Sequence, residues 1–184
     1  ESPISRMNIR TGDELERLCE SMKKMEHDII ASSSQLAIAD WNSNHDSMTQ
    51  LYNKRHYKEQ LKELQNDCTI GVIYFDIDNL KRMNDTCGHE KGDAVILKAA
   101  EFIRRYLTEQ ARGFRIGGDE LVVLCTGISE KEFYQKVEEL KTELAAHDVS
   151  MAVGAAVNTL EAVGKDHLLT ESERRMYQDK AEYY

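Results

Sequence analysis

Two short stretches carry carboxylates at positions that could do chemistry. The first is FDID, Phe75 to Asp78, closing the β-branched and aromatic run TIGVIYFDID at residues 69–78. That run reads as a buried strand ending at Asp76. Residues i and i+2 of a strand share a face, which pairs Asp76 with Asp78. The second is RIGGDELVVL, residues 115–124, where Gly117, Gly118, Asp119 and Glu120 separate two short apolar runs. Alone it is a β-hairpin signal, with glycine tolerating the positive φ such turns need. If the hairpin lies beside the first strand, Asp119 or Glu120 comes close to Asp76. Three or four carboxylates at close range repel unless a cation sits among them. Magnesium suits that setting, held by one or two carboxylates, sometimes a backbone carbonyl, and phosphates.

Between the two stretches runs a polar segment with Lys81, Asn84, Asp85, Gly88, His89, Gly92 and Asp93. Asn84 and Asp93 could bind a base edge, since a carboxylate accepts from the ring NH and exocyclic amine of guanine and an amide adds a further bond. Singly, each has a structural alternative: Asn84-Asp85 as a helix stop, Gly92-Asp93 as a cap for the next helix. Together, two acid-bearing strand ends and a polar loop are hard to explain as structure alone.

Other elements must position these groups. The chain has 184 residues, 41% hydrophobic and 31% charged, with a formal net charge of −9. This suits one globular domain with an appendage. The acidic excess argues against nucleic acid as a partner but not against a nucleotide held through a metal ion. Cys19, Cys68, Cys87 and Cys125 show no metal-like or CxxC spacing and read as reduced cytosolic thiols. Nothing is apolar enough over about 18 residues to span a membrane. No signal peptide is evident, and a start at ESPISRM fits a piece of a longer protein.

Thr11 to Glu14 forms a Thr-x-x-Glu capping box. Leu15, Leu18, Met22, Met25, Ile29 and Leu36 then follow a coiled-coil spacing, whose narrow seam and polar flanks favour a helix that pairs with a copy of itself over an amphipathic helix packed on its own domain. The polar stretch 40–53 is expected to be a hinge. Beyond it the pattern predicts a helix using Tyr57, Leu61 and Leu64, the strand to Asp76, a helix over 90–107, and the hairpin. A helix over 129–147 using Phe133, Val137, Leu140 and Leu144 comes next. A strand over 149–157 and a last helix over 165–182 complete the order. This is an α+β layout, helices on a mainly antiparallel sheet, with domains at 1–40 and 41–184.

FDIDNLKRMNDTCGHEKGD followed by RIGGDEL resembles the GGDEF family, the diguanylate cyclases. MTQLYNKRHY resembles that family's LTGLYNRR segment, and ESERRMYQDK its ADEALYQAK helix. The resemblance runs in order over about residues 46–182. It implies a palm-like fold of the nucleotide-cyclase kind that joins two GTP molecules into cyclic di-GMP with release of pyrophosphate. Carried over by position, Asp76 and Asp119 are magnesium ligands assisted by the Ile77 carbonyl, with manganese as an alternative metal. Asp119 and Glu120 activate the ribose 3′-hydroxyl and handle metal. Asn84 and Asp93 read guanine, with His89 nearby. Lys81 and the backbone NH groups of Asn79 and Leu80 meet phosphate, and Lys180 reaches the triphosphate. Gly117 and Gly118 let the backbone approach the ligand without a Cβ in the way. One GTP per domain requires two domains to face each other, which gives the Leu15–Leu36 seam a purpose as the pairing element of a homodimer.

There are departures. Leu121 stands where the family has Phe, Asn79 where it often has an aromatic, and Gln50 where it often has Gly. Thr108 and Ala111 replace the inhibitory Arg-x-x-Asp, so product inhibition through that site is not expected. Leu121 should point into the core, where apolar exchange is tolerated. The start NIRTGDELERLCESMKKMEHDI resembles the end of a HAMP relay module and implies a membrane sensor upstream, with this piece as its cytoplasmic output. The alternative to catalysis is a degenerate domain that binds GTP or only pairs with partners. A purely structural coiled-coil adaptor would explain residues 13–38 but leave the acids without a role.

Overall fold

The structure, a computed structural model, describes residues 14–64, 68–146, 149–159, 161 and 164–182. The chain divides into two units between Ser43 and Asn44. The capping box and the start of the HAMP-like stretch fall at or beyond the edge of the described residues.

Helix α1 (Glu14–Asn44) makes up the first unit to Ser43. It has no Gly or Pro to break it. Ser33 and Ser34 turn their hydroxyls back onto the Ile30 carbonyl at 2.9 Å, satisfying both side chains within the helix itself. The seam side chains Leu15, Leu18, Met25, Ile29 and Leu36 are exposed along it. Residues 40–44, expected to open a hinge, contain no helix breaker and stay helical.

The second unit opens with a turn. The Asp46 side chain accepts from the Thr49 amide and hydroxyl, both at 2.8 Å, and Gln50 takes a φ of 63°. Then come β1 (Tyr52–Asn53), α2 (Lys54–Glu63), β2 (Thr69–Ile77), α3 (Leu80–Cys87), α4 (His89–Arg104), β3 (Ala111–Arg115), β4 (Glu120–Thr126), α5 (Glu130–Ala145), β5 (Met151–Thr159) and α6 (Lys165–Glu182). The sheet order is β1-β3-β4-β2-β5, antiparallel except for the parallel β1–β3 pair. The expected mainly antiparallel α+β fold is what forms. The helix predicted over 90–107 ends earlier than its pattern, at Arg104, and buries Ile96, Ala99, Phe102 and Ile103.

Alternation splits central strand β2 between two cores. Ile73, Phe75 and Ile77 pack with α4 and α5, through Ala99, Phe102, Ile103, Phe133, Val137 and Leu140. Ile70, Val72 and Tyr74 pack with α2 and α6, through Tyr57, Leu168 and Met176. Leu121 of β4 belongs to the first core and is fully buried, as its apolar character predicts.

Helix α6 lies on β5 at Gly154, where a Cβ would overlap the Met176 amide nitrogen and the Ser172 carbonyl oxygen. Its side chains also satisfy the main chain of β5. Asp179 accepts from the Val153 amide at 2.8 Å, and Arg175 donates to the Ala155 carbonyl at 2.8 Å.

Candidate active site

The β2–β4 register puts Asp76 directly opposite Glu120. The parity of the two strands sets the face. Asp76 continues the set of Tyr74, and Glu120 continues that of Val122 and Leu124, so both carboxylates lie on the α2–α6 side of the sheet. The pairing extends one rung further, with the Ile77 amide donating to the Asp119 carbonyl at 3.1 Å. The hairpin thus lies beside the strand, and Asp76, Asp119 and Glu120 gather at one end of it.

Asp76 is only 5% exposed. Its partner is Lys180 from the end of α6, whose Nζ donates to Oδ1 at 2.5 Å. Burial raises the Asp76 carboxyl pKa, Lys180 pulls it back, and Asp119 and Asp78 push it up again, leaving it above the usual carboxylate value. Burial also raises Glu120, reinforced by Asp119, Asp76 and Glu173 against Lys54. Burial would lower the Lys180 ammonium, but its hydrogen bond to Asp76 and the charges of Asp76, Asp119 and Asp78 outweigh that and raise it. The acids crowd one another, as expected where a cation belongs.

Beside them lies a cleft of about 400 Å³, lined by Ile77, Asn79, Leu80, Lys81, Asp119 and Lys180, together with Arg82 and Asp85. Its floor is the turn from β2 into α3. Asn79 begins that helix in the left-handed conformation, at φ 56°, a region asparagine enters more readily than most residues. The first N–H groups of a helix have no acceptor within it and favour anions.

Asn84, His89 and Asp93 sit apart from the cleft-lining set, around the junction of α3 and α4. What read as a polar loop is helical here, with Gly88 (φ 86°) as the joint. Asn84 and Gly92-Asp93 therefore lie inside helices and are neither a stop nor a cap. Asn84 packs where a Gly92 Cβ would be. Its Oδ1 is buried with no hydrogen-bond partner among the described residues. His89 and Asp93 are exposed.

Gly117 and Gly118 correct one expectation: neither adopts positive φ. The missing Cβ of Gly117 makes room for the Glu120 carboxylate, and nothing lies within 4 Å of where a Gly118 Cβ would stand. The turn is held instead by Arg115, which donates to the Gly118 carbonyl at 2.9 Å and pairs with Asp46 at 3.2 Å. Arg115, Asp46, Arg82 and Glu173 were not singled out from sequence. Asp78, expected to face the site with Asp76, accepts from the Ser150 hydroxyl at 2.6 Å, while its amide donates to the Ser150 carbonyl. The strand has ended by then, so the i, i+2 rule no longer governs where that carboxylate is held.

Among the described residues, no three His, Cys, Asp or Glu side chains are gathered into a closed metal cluster. The donor chemistry nonetheless fits a hard cation that takes one or two carboxylates from protein and fills its shell with phosphate oxygens and water. Asp76 and Glu120 stand opposite each other in the register, and Asp119, next in the chain to Glu120, lines the cleft with Lys81 and Lys180.

The mainly antiparallel sheet with paired acids at one strand end is the arrangement the resemblance implied, and sequence comparison names the family. The family model for the diguanylate cyclase GGDEF domain matches residues 43–183, and the chain belongs to that family. Diguanylate cyclase DgcS of Shewanella oneidensis is 30% identical over 146 residues, covering 74% of this chain and 49% of DgcS. Diguanylate cyclase DgcN of Escherichia coli is 26% identical over 150 residues, covering 74% of this chain and 36% of DgcN. The chain thus spans about half, or less, of the length of these relatives. The coiled coil and GGDEF domain of Caulobacter crescentus DgcB, solved with c-di-GMP, shares the fold with a TM-score of 0.75 at 21% identity, over 92% of this chain and 95% of that one. No described helix is long and apolar enough to cross a membrane.

Proposed function

We propose that this chain is a diguanylate cyclase unit. Two copies, paired through the α1 seam, each hold one GTP and condense the pair into cyclic di-GMP. The observation that carries this reading is the Asp76–Glu120 register, with Asp119 beside a cleft that also takes in Lys81 and Lys180. In each of two bond-forming steps, the 3′-oxygen of one GTP attacks the α-phosphorus of the other. The α–β phosphoanhydride bond breaks and pyrophosphate leaves.

Asp76, Asp119 and Glu120, with the Ile77 carbonyl, would hold magnesium, or manganese in its place. When bound, the metal lowers the hydroxyl pKa and neutralises phosphate charge. Asp119 and Glu120 would help activate the 3′-hydroxyl, beside the metal they hold. Lys81, Lys180 and the N–H groups of Asn79 and Leu80 would bind phosphate. Asn84 and Asp93, near His89, would read guanine. The resemblance of residues 8–29 to a HAMP module supports an upstream membrane sensor acting through α1.

The test is incubation of the purified chain with GTP and Mg²⁺, with ATP as control. Cyclic di-GMP and pyrophosphate from GTP alone are expected. The Asp119→Ala/Glu120→Ala double variant should lose activity by at least about 10²-fold. Full activity in that variant would refute the site. GTP binding without turnover in the unaltered chain would favour the non-catalytic reading.

A further inference from the structure

We propose that Lys180 and the divalent cation are alternative occupants of the Asp76 carboxylate, so that metal and nucleotide enter by moving Lys180 off Asp76 and onto the phosphates. This rests on the metal-dependent reading above and adds an order to it.

Three observations carry the exchange. Lys180 Nζ sits 2.5 Å from Asp76 Oδ1, close to where a cation bound to that oxygen would lie, about 2.1 Å away. An ammonium and a divalent ion that close repel strongly in a partly desolvated site. The partners also differ in freedom. Asp76 is held in strand β2 with its side chain 8% exposed, whereas the Lys180 side chain is 29% exposed on a flexible stem near the end of α6. The lysine is therefore the partner that can leave. Finally, the way out is into the cleft that Lys180 lines with Lys81 and Arg82. That space holds three cations against two carboxylates, Asp119 and Asp85, and Lys180 would give up its short bond to Asp76, so displacement is opposed until a phosphate anion arrives to meet it. Metal alone should bind weakly, and metal with nucleotide should bind cooperatively.

The experiment titrates the full chain with Mn²⁺ alone, without nucleotide, following free ion by electron paramagnetic resonance and the thermal unfolding midpoint in parallel. Lys180→Gln should bind Mn²⁺ about tenfold more tightly than the unaltered chain. Mn²⁺ should also raise its midpoint by more. Lys180→Arg, which keeps a cation on Asp76, should bind Mn²⁺ as weakly as the unaltered chain. Asp76→Asn should abolish binding in every background. If Lys180→Gln does not fold, Lys180→Met removes the charge with similar volume. Equal or weaker affinity in the neutral variant, still lost with Asp76→Asn, would overturn the exchange and leave the metal site standing. Binding independent of Asp76 in all variants would overturn the metal site and the exchange with it.

Discussion

Gly154 of β5 and Met176 of α6 meet backbone to backbone, so closely that a Cβ on Gly154 would overlap the Met176 amide nitrogen. The helix brought in at this contact also carries Lys180 to Asp76. Gly154→Ala should therefore act twice. Forcing a methyl group into packed backbone costs about 1–3 kcal/mol or more. For a chain of this size that lowers the unfolding midpoint by about 3–10 °C. Activity at temperatures where the variant is folded should also fall, because α6 must shift. Differential scanning calorimetry with a cyclase assay at low temperature checks both; unchanged activity in the folded variant would separate helix docking from Lys180 placement.

Glu120 is expected to be a site where stability is given up. Its folded-state carboxyl is raised above the usual value by burial first, then by Asp119, Asp76 and Glu173. A raised acid favours the folded state while protonated. That contribution is present below the unfolded value near 4.5 and is lost as pH rises through the folded pKa. At neutral pH the ionised group is a burden. Glu120→Gln should raise the midpoint by about 1–3 °C at pH 7, with a smaller gain near pH 4, and should lower cyclase activity. A variant less stable at pH 7 would show that a missing hydrogen bond outweighs the repulsion.

Gln50 holds a φ of 63° in the turn before β1. For a residue with a Cβ that region costs about 1–2 kcal/mol, partly offset in glycine by its looser unfolded chain. The Gln50 amide still bonds to the Asp46 carbonyl at 2.9 Å, a contact glycine keeps. Gln50→Gly is expected to stabilise the domain by about 0.5–1 kcal/mol, read as a higher denaturant midpoint with an unchanged slope.

Asn84 occupies the space a Cβ at position 92 would need. Gly92→Ala should push the amide aside and weaken GTP binding by about tenfold, with a smaller effect on kcat. The Asn84→Ala/Gly92→Ala double variant should be little worse than Asn84→Ala alone, since the alanine at 92 then has nothing left to displace. Additive losses in KM would show that Gly92 acts by another route.

Periodicity explains how much was readable. Phe133, Val137, Leu140 and Leu144 repeat at helical spacing and are the buried face of α5. The strand to Ile77 is a near-continuous apolar run, buried on both faces as such runs require. Helix α3 escaped notice because in LKRMNDTC only Leu80, Met83 and Cys87 are apolar, too short a stripe to register a period. The pairing of Lys180 with Asp76 spans 104 positions and that of Arg115 with Asp46 spans 69, so no local pattern encodes either geometry. Family resemblance supplied Lys180 as a phosphate partner; its resting place on Asp76 came only from the fold.

The outer edge of β5 has its own consequence. Unsealed strand edges recruit strands from other molecules. Here Asp179 and Arg175 satisfy the Val153 amide and the Ala155 carbonyl, and the opposite edge, β1, is only two residues long. The same helix thus guards the sheet against cross-molecular β-stacking and delivers Lys180. Peeling α6 away would bare a sticky strand and empty the Asp76 pair in one event. On heating, turbidity and loss of turnover should then share one onset temperature.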